Sequence, residues 1–186
     1  MLSPVHALGP GERVCLWTQG CAKNCPGCIS PEMQPHAGPQ VDEALLSELL
    51  TQAAERGGCT GLTISGGDPF EQPEALLRLL ELVRTQFEDI LVYTGYTLAE
   101  LQRGEAGDAA KTALTLIDVL IDGRYIQSEN RPDCVLRGSA NQVIHYLSPD
   151  AQPRYAAYLL EPRRMEVFSH QDTMIIAGIP DRRTES

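Results

Sequence analysis

At 186 residues and 42% hydrophobic content, the chain has the size and composition of one globular domain with a sizeable core. Its 25 acidic and 15 basic residues leave a net charge of −10, which argues against a nucleic-acid backbone or an anionic membrane as the main partner. Residues 1–12 lack the charged and apolar regions of a signal peptide and no apolar run reaches transmembrane length, so the expected location is the cytoplasm. There the six cysteines should be reduced, and a clustered set of them points to a metal rather than to disulfides.

Pro4, Gly9, Pro10 and Gly11 make the first dozen residues an irregular lead-in. Arg13 to Gln19 reads as a short buried strand that runs straight into the stretch around which the remainder is organised, Trp17 to Cys28, WTQGCAKNCPGC. On a helix, Cys21, Cys25 and Cys28 would form an i, i+4, i+7 stripe, but Gly20, Pro26 and Gly27 make a continuous helix costly and predict a loop. Three thiolates converging from a loop are one ligand short of a closed zinc site or an ordinary iron–sulfur cluster, which leaves one coordination position for something else.

Ser30 to Gln40 is a wandering connection. Asp42 is placed to cap a helix whose Ala44, Leu45, Leu49 and Ala53 keep helical spacing and which Gly57 and Gly58 stop. A strand over Gly61 to Ser65 ends on Gly66-Gly67-Asp68-Pro69, and a helix over Gln72 to Gln86 carries an apolar face of Leu76, Leu79, Leu80 and Val83. Further strands follow at Ile90 to Thr94, Ile117 to Ile121 and Gln142 to Tyr146, with a short helix over Thr97 to Arg103 and a flexible break at GEAGDAA. From Ser148 the pattern changes: Pro153 to Leu160 suits a short helix, and Met165, Val167, Thr173, Ile175 and Ala177 alternate as in two strands joined near Ser169–Asp172, a terminal hairpin.

Strands alternating with helices predict an α/β domain with a mostly parallel sheet and right-handed crossovers. The cysteine loop, Gly66-Gly67-Asp68-Pro69, Thr94-Gly95-Tyr96 and Asp122-Gly123 all follow the C-terminal ends of strands, which in such a sheet or barrel share the edge where ligands bind. A glycine pair there lets backbone approach a ligand without a Cβ in the way.

With CxxxCxxC followed about forty residues later by a strand ending in GGDP, the chain resembles the radical S-adenosylmethionine superfamily. GPGERVCLWTQGCAKNCPGC, SGGDP, VYTGY, VLIDGRY and RGSANQVIHYL, in that order, resemble the branch of activating proteins of anaerobic ribonucleoside-triphosphate reductase, over about Pro4 to Leu147. The resemblance implies a partial (β/α) barrel over residues 1–147 with a C-terminal extension over 148–186. It also implies a [4Fe–4S] cluster held by Cys21, Cys25 and Cys28, with S-adenosylmethionine chelating the fourth iron. Gly66, Gly67 and Asp68 would receive the methionyl amino group, Gly27 and Ile29, flanking Cys28, would lie against the nucleoside, and Thr94 near the ribose.

The implied reaction is reductive cleavage to methionine and a 5′-deoxyadenosyl radical, with a flavodoxin-like electron donor, a glycyl radical stored on the large reductase subunit, and no essential side-chain acid or base. Gly27 stands where many superfamily members carry an aromatic residue, so other apolar residues must contact the adenine. The extension, which runs past the usual end of the short activating proteins, could lengthen a sheet edge, cover the cofactor site or contact a substrate protein.

Two other readings remain open: a small radical enzyme acting on another protein, peptide or small molecule, and a non-catalytic protein holding a cluster, or a zinc ion completed by a distant ligand such as His36. Cys15, Cys59 and Cys134 read as core thiols, His6, His145 and His170 as structural, and Trp17 as packing. Asp122, Asn141 and Gln142 divide evenly between structural roles and contact with cofactor or substrate.

Overall fold

The computed structural model describes residues 1–170 and 173–181. Its centre is a six-stranded sheet in which the strands lie side by side in chain order: β1 (Leu2–Val5), β2 (Arg13–Thr18), β3 (Gly61–Gly66), β4 (Asp89–Tyr93), β5 (Val119–Asp122) and β6 (Val143–Tyr146). Strands β2 to β5 are parallel, while β1 and β6 run antiparallel on the two edges. The sheet is open.

Between the parallel strands come α1 (Glu43–Gly57), α2 (Pro73–Val83), and the pair α3 (Leu98–Arg103) and α4 (Asp108–Ala113). Asp42 caps α1 by accepting from the amides of Ala44 and Leu45, and Gly58, left-handed at φ 62°, ends it. Thr97 and Glu100 form a capping box on α3.

Because side chains alternate along a strand, each strand serves two layers. Val14, Leu16, Leu62, Ile64, Ile90, Val92 and Leu120 point to one face and pack with Leu50, Leu76, Leu80, Leu101 and Ala110 of the four helices. That all four crossover helices share a face is what a sheet growing in one direction by crossovers of one hand requires.

The opposite face is covered by the chain's two ends. Leu91, Val119 and Ile121 pack under Ala151 and Tyr155 of α5 (Ala151–Ala156). Val5, Ala7, Leu8 and Cys15 pack under Phe168 and Ala177 of the antiparallel hairpin β7 (Met165–His170) and β8 (Thr173–Gly178).

At its N-terminal end this second face is closed by an ion pair. Arg13, Gly61 and Asp89 stand in register across β2, β3 and β4. The fully buried Arg13 side chain crosses Gly61, where a Cβ would lie 2.6 Å from its Nη1, and donates to Asp89 Oδ2 at 2.5 Å. Its Nε donates to Thr63 Oγ1 at 2.6 Å and Tyr155 donates to Asp89 at 2.7 Å, so α5 is tied to the same carboxylate.

The hairpin is pinned at its root. Glu166 Oε2 accepts from the amides of His6 and Ala7, both at 2.7 Å, and Oε1 lies 2.9 Å from His6 Nδ1. Hydrogen bonding to Glu166, opposed by partial burial and helped by Glu12, raises the His6 pKa. Burial pushes Glu166 upward, but its bonds to His6 and the two amides outweigh that and lower it.

Three expectations change. The lead-in contains β1, which a proline and a register break between Leu2 and Val5 hide from a period-two pattern. The break at GEAGDAA is confined to its first residues: Gly107 at φ 90° starts α4, whose Ala110 and Ala113 are fully buried. In the terminal hairpin Met165 and Val167 face outward while Phe168 and Ala177 face the core; part of the joint near Ser169–Asp172, residues 171–172, lies outside the described residues. No helix among the described residues is long and apolar enough to cross a membrane.

Removing Arg13 strands a buried carboxylate, so Arg13→Met should cost about 3–5 kcal/mol and Tyr155→Phe about 1–2 kcal/mol in urea denaturation. His6, raised from 6.5, stabilises fully below that pH and loses its contribution as pH rises through the raised value. Glu166, lowered from 4.5, contributes above that pH and loses its part as pH falls through the lowered value. The stability lost in His6→Ala, about 0.5 kcal/mol for so exposed a pair, should therefore be largest between pH 4.5 and 6.5 and shrink as pH rises through the raised His6 value in thermal unfolding.

Candidate cofactor site

The loop that leaves β2 folds back on itself through left-handed residues: Gly20 at φ 109°, Asn24 at 48° and Gly27 at 71°. Cys28 N donates to Cys25 O at 3.1 Å, closing the tight turn of CPGC. Cys21, Cys25 and Cys28 are part-exposed free thiols along this loop, whereas Cys15, Cys59 and Cys134 are buried. Burial pushes the Cys15 thiol up to about 12, the behaviour of an inert core thiol.

A seam of backbone holds the loop against the end of β3. Gly67 N donates to Thr18 O and Asp68 N to Gly20 O, both at 2.8 Å, while Gly20 N donates to Met33 O at 2.8 Å and Cys21 N to Gln34 O at 2.9 Å. A Cβ on Gly66 would lie 2.2 Å from Thr18 O, and one on Gly67 would lie 2.3 Å from Gly20 O and 2.7 Å from Met33 O. The glycine pair thus admits the backbone of the cysteine loop itself.

Asp68 is 1% exposed and braces the next loop along. Its carboxylate accepts from Thr94 Oγ1 at 2.9 Å, from Gly95 N at 2.9 Å and from Phe70 N at 3.0 Å. Burial raises its pKa, partly offset by those donors and by Lys23. The Thr94 hydroxyl, which donates to Asp68, also accepts from Tyr96 N at 3.1 Å.

Lys23 is a contributor that sequence reasoning missed. Lysine inside a polar loop reads as solvated, yet its side chain is only 11% exposed, with Nζ 3.1 Å from the centre of the Tyr96 ring and 3.6 Å from Glu71 Oε1. A Cβ on Gly95 would lie 2.9 Å from Lys23 Cγ, so the glycine of TGY makes room for this contact. The space in front of Gly27 is likewise taken: a side chain there would meet Gln127 Oε1 at 2.4 Å.

Gly27, Cys28, Ile29 and Gly66 line one cavity of about 490 Å³ with Trp17 and Tyr93. Asp68, Thr94, Cys21 and Cys25 lie outside this lining. A larger cavity, about 950 Å³, is lined by His36 and Trp17 together with Leu46 of α1 and Leu76 and Leu79 of α2. The His36 ring packs against Gly20, and among the described residues no three His, Cys, Asp or Glu side chains are drawn to one metal-holding point.

The remaining polar candidates are engaged in structure. His145 Nε2 lies 2.8 Å from Asp122 Oδ2, which also accepts from Leu98 N, and Asn141 donates to Arg124 O. Gln142 accepts from the amides of Gly138 and Ser139 and donates to Gly123 O. His170 carries a strand pairing with Thr173, and its side chain lies outside the described residues.

Three soft, part-exposed thiols on one loop, backed by a buried brace, form a donor set suited to iron–sulfur chemistry. The model of the 4Fe-4S single cluster domain matches residues 7–145. The chain is 37% identical over 146 residues to the anaerobic ribonucleoside-triphosphate reductase-activating protein of Vibrio cholerae, covering 74% of this chain and 89% of that one. It is 38% identical over 143 residues to the protein of that name from Haemophilus influenzae, covering 74% and 89%. The Escherichia coli K12 protein of that name is 34% identical over 145 residues, covering 75% and 91%. The chain belongs to this family of reductase-activating, single-cluster proteins.

The family match ends at residue 145, so α5 and the hairpin lie outside it. A methyl group on Gly67 should push the cysteine loop off the end of β3. Gly67→Ala is therefore expected to keep the far-ultraviolet circular dichroism spectrum while alkylation of the loop thiols accelerates and iron uptake on anaerobic reconstitution falls.

Proposed function

We propose that the chain generates a glycyl radical on an anaerobic ribonucleotide reductase through a [4Fe–4S] cluster and S-adenosylmethionine. The observation that carries this reading is the separation of thiols: three part-exposed on one loop at the carboxyl edge of the sheet, three buried elsewhere. Cys21, Cys25 and Cys28 would hold the cluster by three of its irons, leaving the fourth for the amino and carboxylate groups of S-adenosylmethionine. Together the two groups supply a 5′-deoxyadenosyl radical by one-electron cleavage of a carbon–sulfur bond.

What the chain's own residues do is position and exclude. Gly66 and Gly67 bring backbone carbonyls to the cofactor edge, and Asp68 acts through the backbone it holds, its carboxylate oxygens being taken by Thr94, Gly95 and Phe70. Gly27, Ile29 and Trp17 bound the cavity against the nucleoside. Thr94 ties the end of β4 to that edge, near the ribose. No acid or base is required of the site, whose work is to place the two groups and exclude water. A curved, partial-barrel sheet, a flavodoxin-like electron donor and a cytoplasmic location complete the reading.

Cys21→Ala, Cys25→Ala or Cys28→Ala should each abolish cluster binding and release of 5′-deoxyadenosine under dithionite, whereas Cys59→Ala should retain both. Full-length reconstituted protein, incubated with the companion reductase and S-adenosylmethionine, should give a glycyl-radical electron paramagnetic resonance signal. Cleavage of S-adenosylmethionine without that signal, but with modification of a different protein or peptide, would replace the proposed substrate. Bound zinc with no cleavage would remove the enzyme reading.

A further inference from the structure

The hairpin that lies outside the family match does more than protect an edge. Met165, Ile176 and Ile179 line the same cavity as Gly27, Cys28 and Ile29, although nearly the whole domain separates the two stretches in sequence. Three large apolar side chains at that cavity remain strongly exposed: Ile29 at 47%, Met165 at 45% and Ile176 at 61%. Single exposed apolar residues are ordinary, but their convergence on one concavity marks a surface that a ligand covers.

The wall is fixed at both ends. The Glu166 clamp on His6 and Ala7 holds the start of the hairpin. Beyond β8, Pro180 O accepts from Arg163 Nη1 at 3.0 Å and from Asn130 Nδ2 at 3.2 Å, and Arg163 also donates to Asn130 Oδ1 at 2.8 Å. These bonds tie the strand's exit to the loop after β5, which lines the cavity through Tyr125 and Asn130. The opposite wall offers no side chain at Gly27, where Gln127 fills the space, so it cannot supply both faces of a sandwich for a flat ring.

We infer that Met165 and Ile176 of the C-terminal hairpin form the apolar wall on which the purine ring of the cofactor's adenosyl group packs, opposite Ile29. This rests on the proposed function for the identity of the ligand and deepens it by assigning the base-contacting wall to a segment that the family match does not include. The cavity volume of about 490 Å³ and its mixture of apolar walls with polar groups at Ser65 and Asn130 suit a nucleoside.

Both residues are exposed enough that truncating them should leave folding intact, and Met174, 74% exposed on the same face of the hairpin and outside the cavity, is the matched control. Met165→Ala, Ile176→Ala, the double variant and Met174→Ala would be titrated with adenosine as full-length chains. Equilibrium dialysis would report on the reconstituted protein, and emission from Trp17, the one tryptophan and itself a lining residue, on the cluster-free protein. Each lining variant should weaken adenosine binding several-fold and the double variant about tenfold, while Met174→Ala binds as wild type does. The same variants should raise the KM for S-adenosylmethionine with kcat little changed.

Equal adenosine affinity in the double variant and wild type would overturn the inference, and would leave the proposed function standing if wild type still cleaves S-adenosylmethionine. Adenosine binding that depends on Met165 and Ile176 in a protein that cleaves no S-adenosylmethionine would uphold the wall and overturn the proposed function. Absence of adenosine binding by wild type would overturn the wall.

Discussion

The site depends on a place where two backbones meet with nothing between them. At the end of β3 the Gly66–Gly67 pair lets Thr18, Gly20 and Met33 approach to distances that a Cβ would block, and two amide bonds close the contact. From there Asp68 reaches across to Thr94 and Gly95 at the end of β4. The three carboxyl-edge loops are thereby joined in a row. Lys23 returns from the cysteine loop to Tyr96 and Glu71 and completes the circuit. A loop of glycines, prolines and exposed thiols has little apolar surface with which to hold itself, so its conformation is set by this polar seam.

The same sheet face is built for opposite purposes at its two ends. At the N-terminal end Arg13, Gly61 and Asp89 line up across three strands, and a buried ion pair with Tyr155 fills the space. Such a pair contributes little net stability over an apolar core but makes any other register costly, because a shift would leave Asp89 uncompensated. At the carboxyl end the corresponding positions, Trp17, Ser65 and Tyr93, line a cavity. A packed floor thus supports an open mouth, the division expected of parallel sheets that bind ligands at their carboxyl edge.

Much of this was legible in the residues. Asp42, Gly58 and the apolar spacing of Leu76, Leu79, Leu80 and Val83 mark helices because caps and period are local signals. The four special stretches fall after β2, β3, β4 and β5, as alternation of strand and helix requires. The contacts that escaped were non-local. Lys23 is buried by Tyr96 and Glu71, residues about fifty or more positions away, and no pattern within the cysteine loop announces it. Asp68 stands in a motif that suggests ligand contact, yet its carboxylate is consumed by Thr94 and Gly95 of the neighbouring strand end. Period two identifies the hairpin strands but cannot say which face meets the core; that is decided by Glu166 reaching the amides of His6 and Ala7.

The placement of thiols and of exposed apolar groups then gives one coherent picture. Cys15, Cys59 and Cys134 are covered by protein, so the thiols that a metal can reach are those on the loop. The hairpin turns Phe168 and Ala177 inward and leaves Met165 and Ile176 at the cavity beside that loop. Had the extension served only to cap the second face, an outward strand face of polar residues would have sufficed. Two of its outward apolar side chains, Met165 and Ile176, lie instead at the cavity beside the thiol-bearing loop, which makes the extension a wall of that cavity.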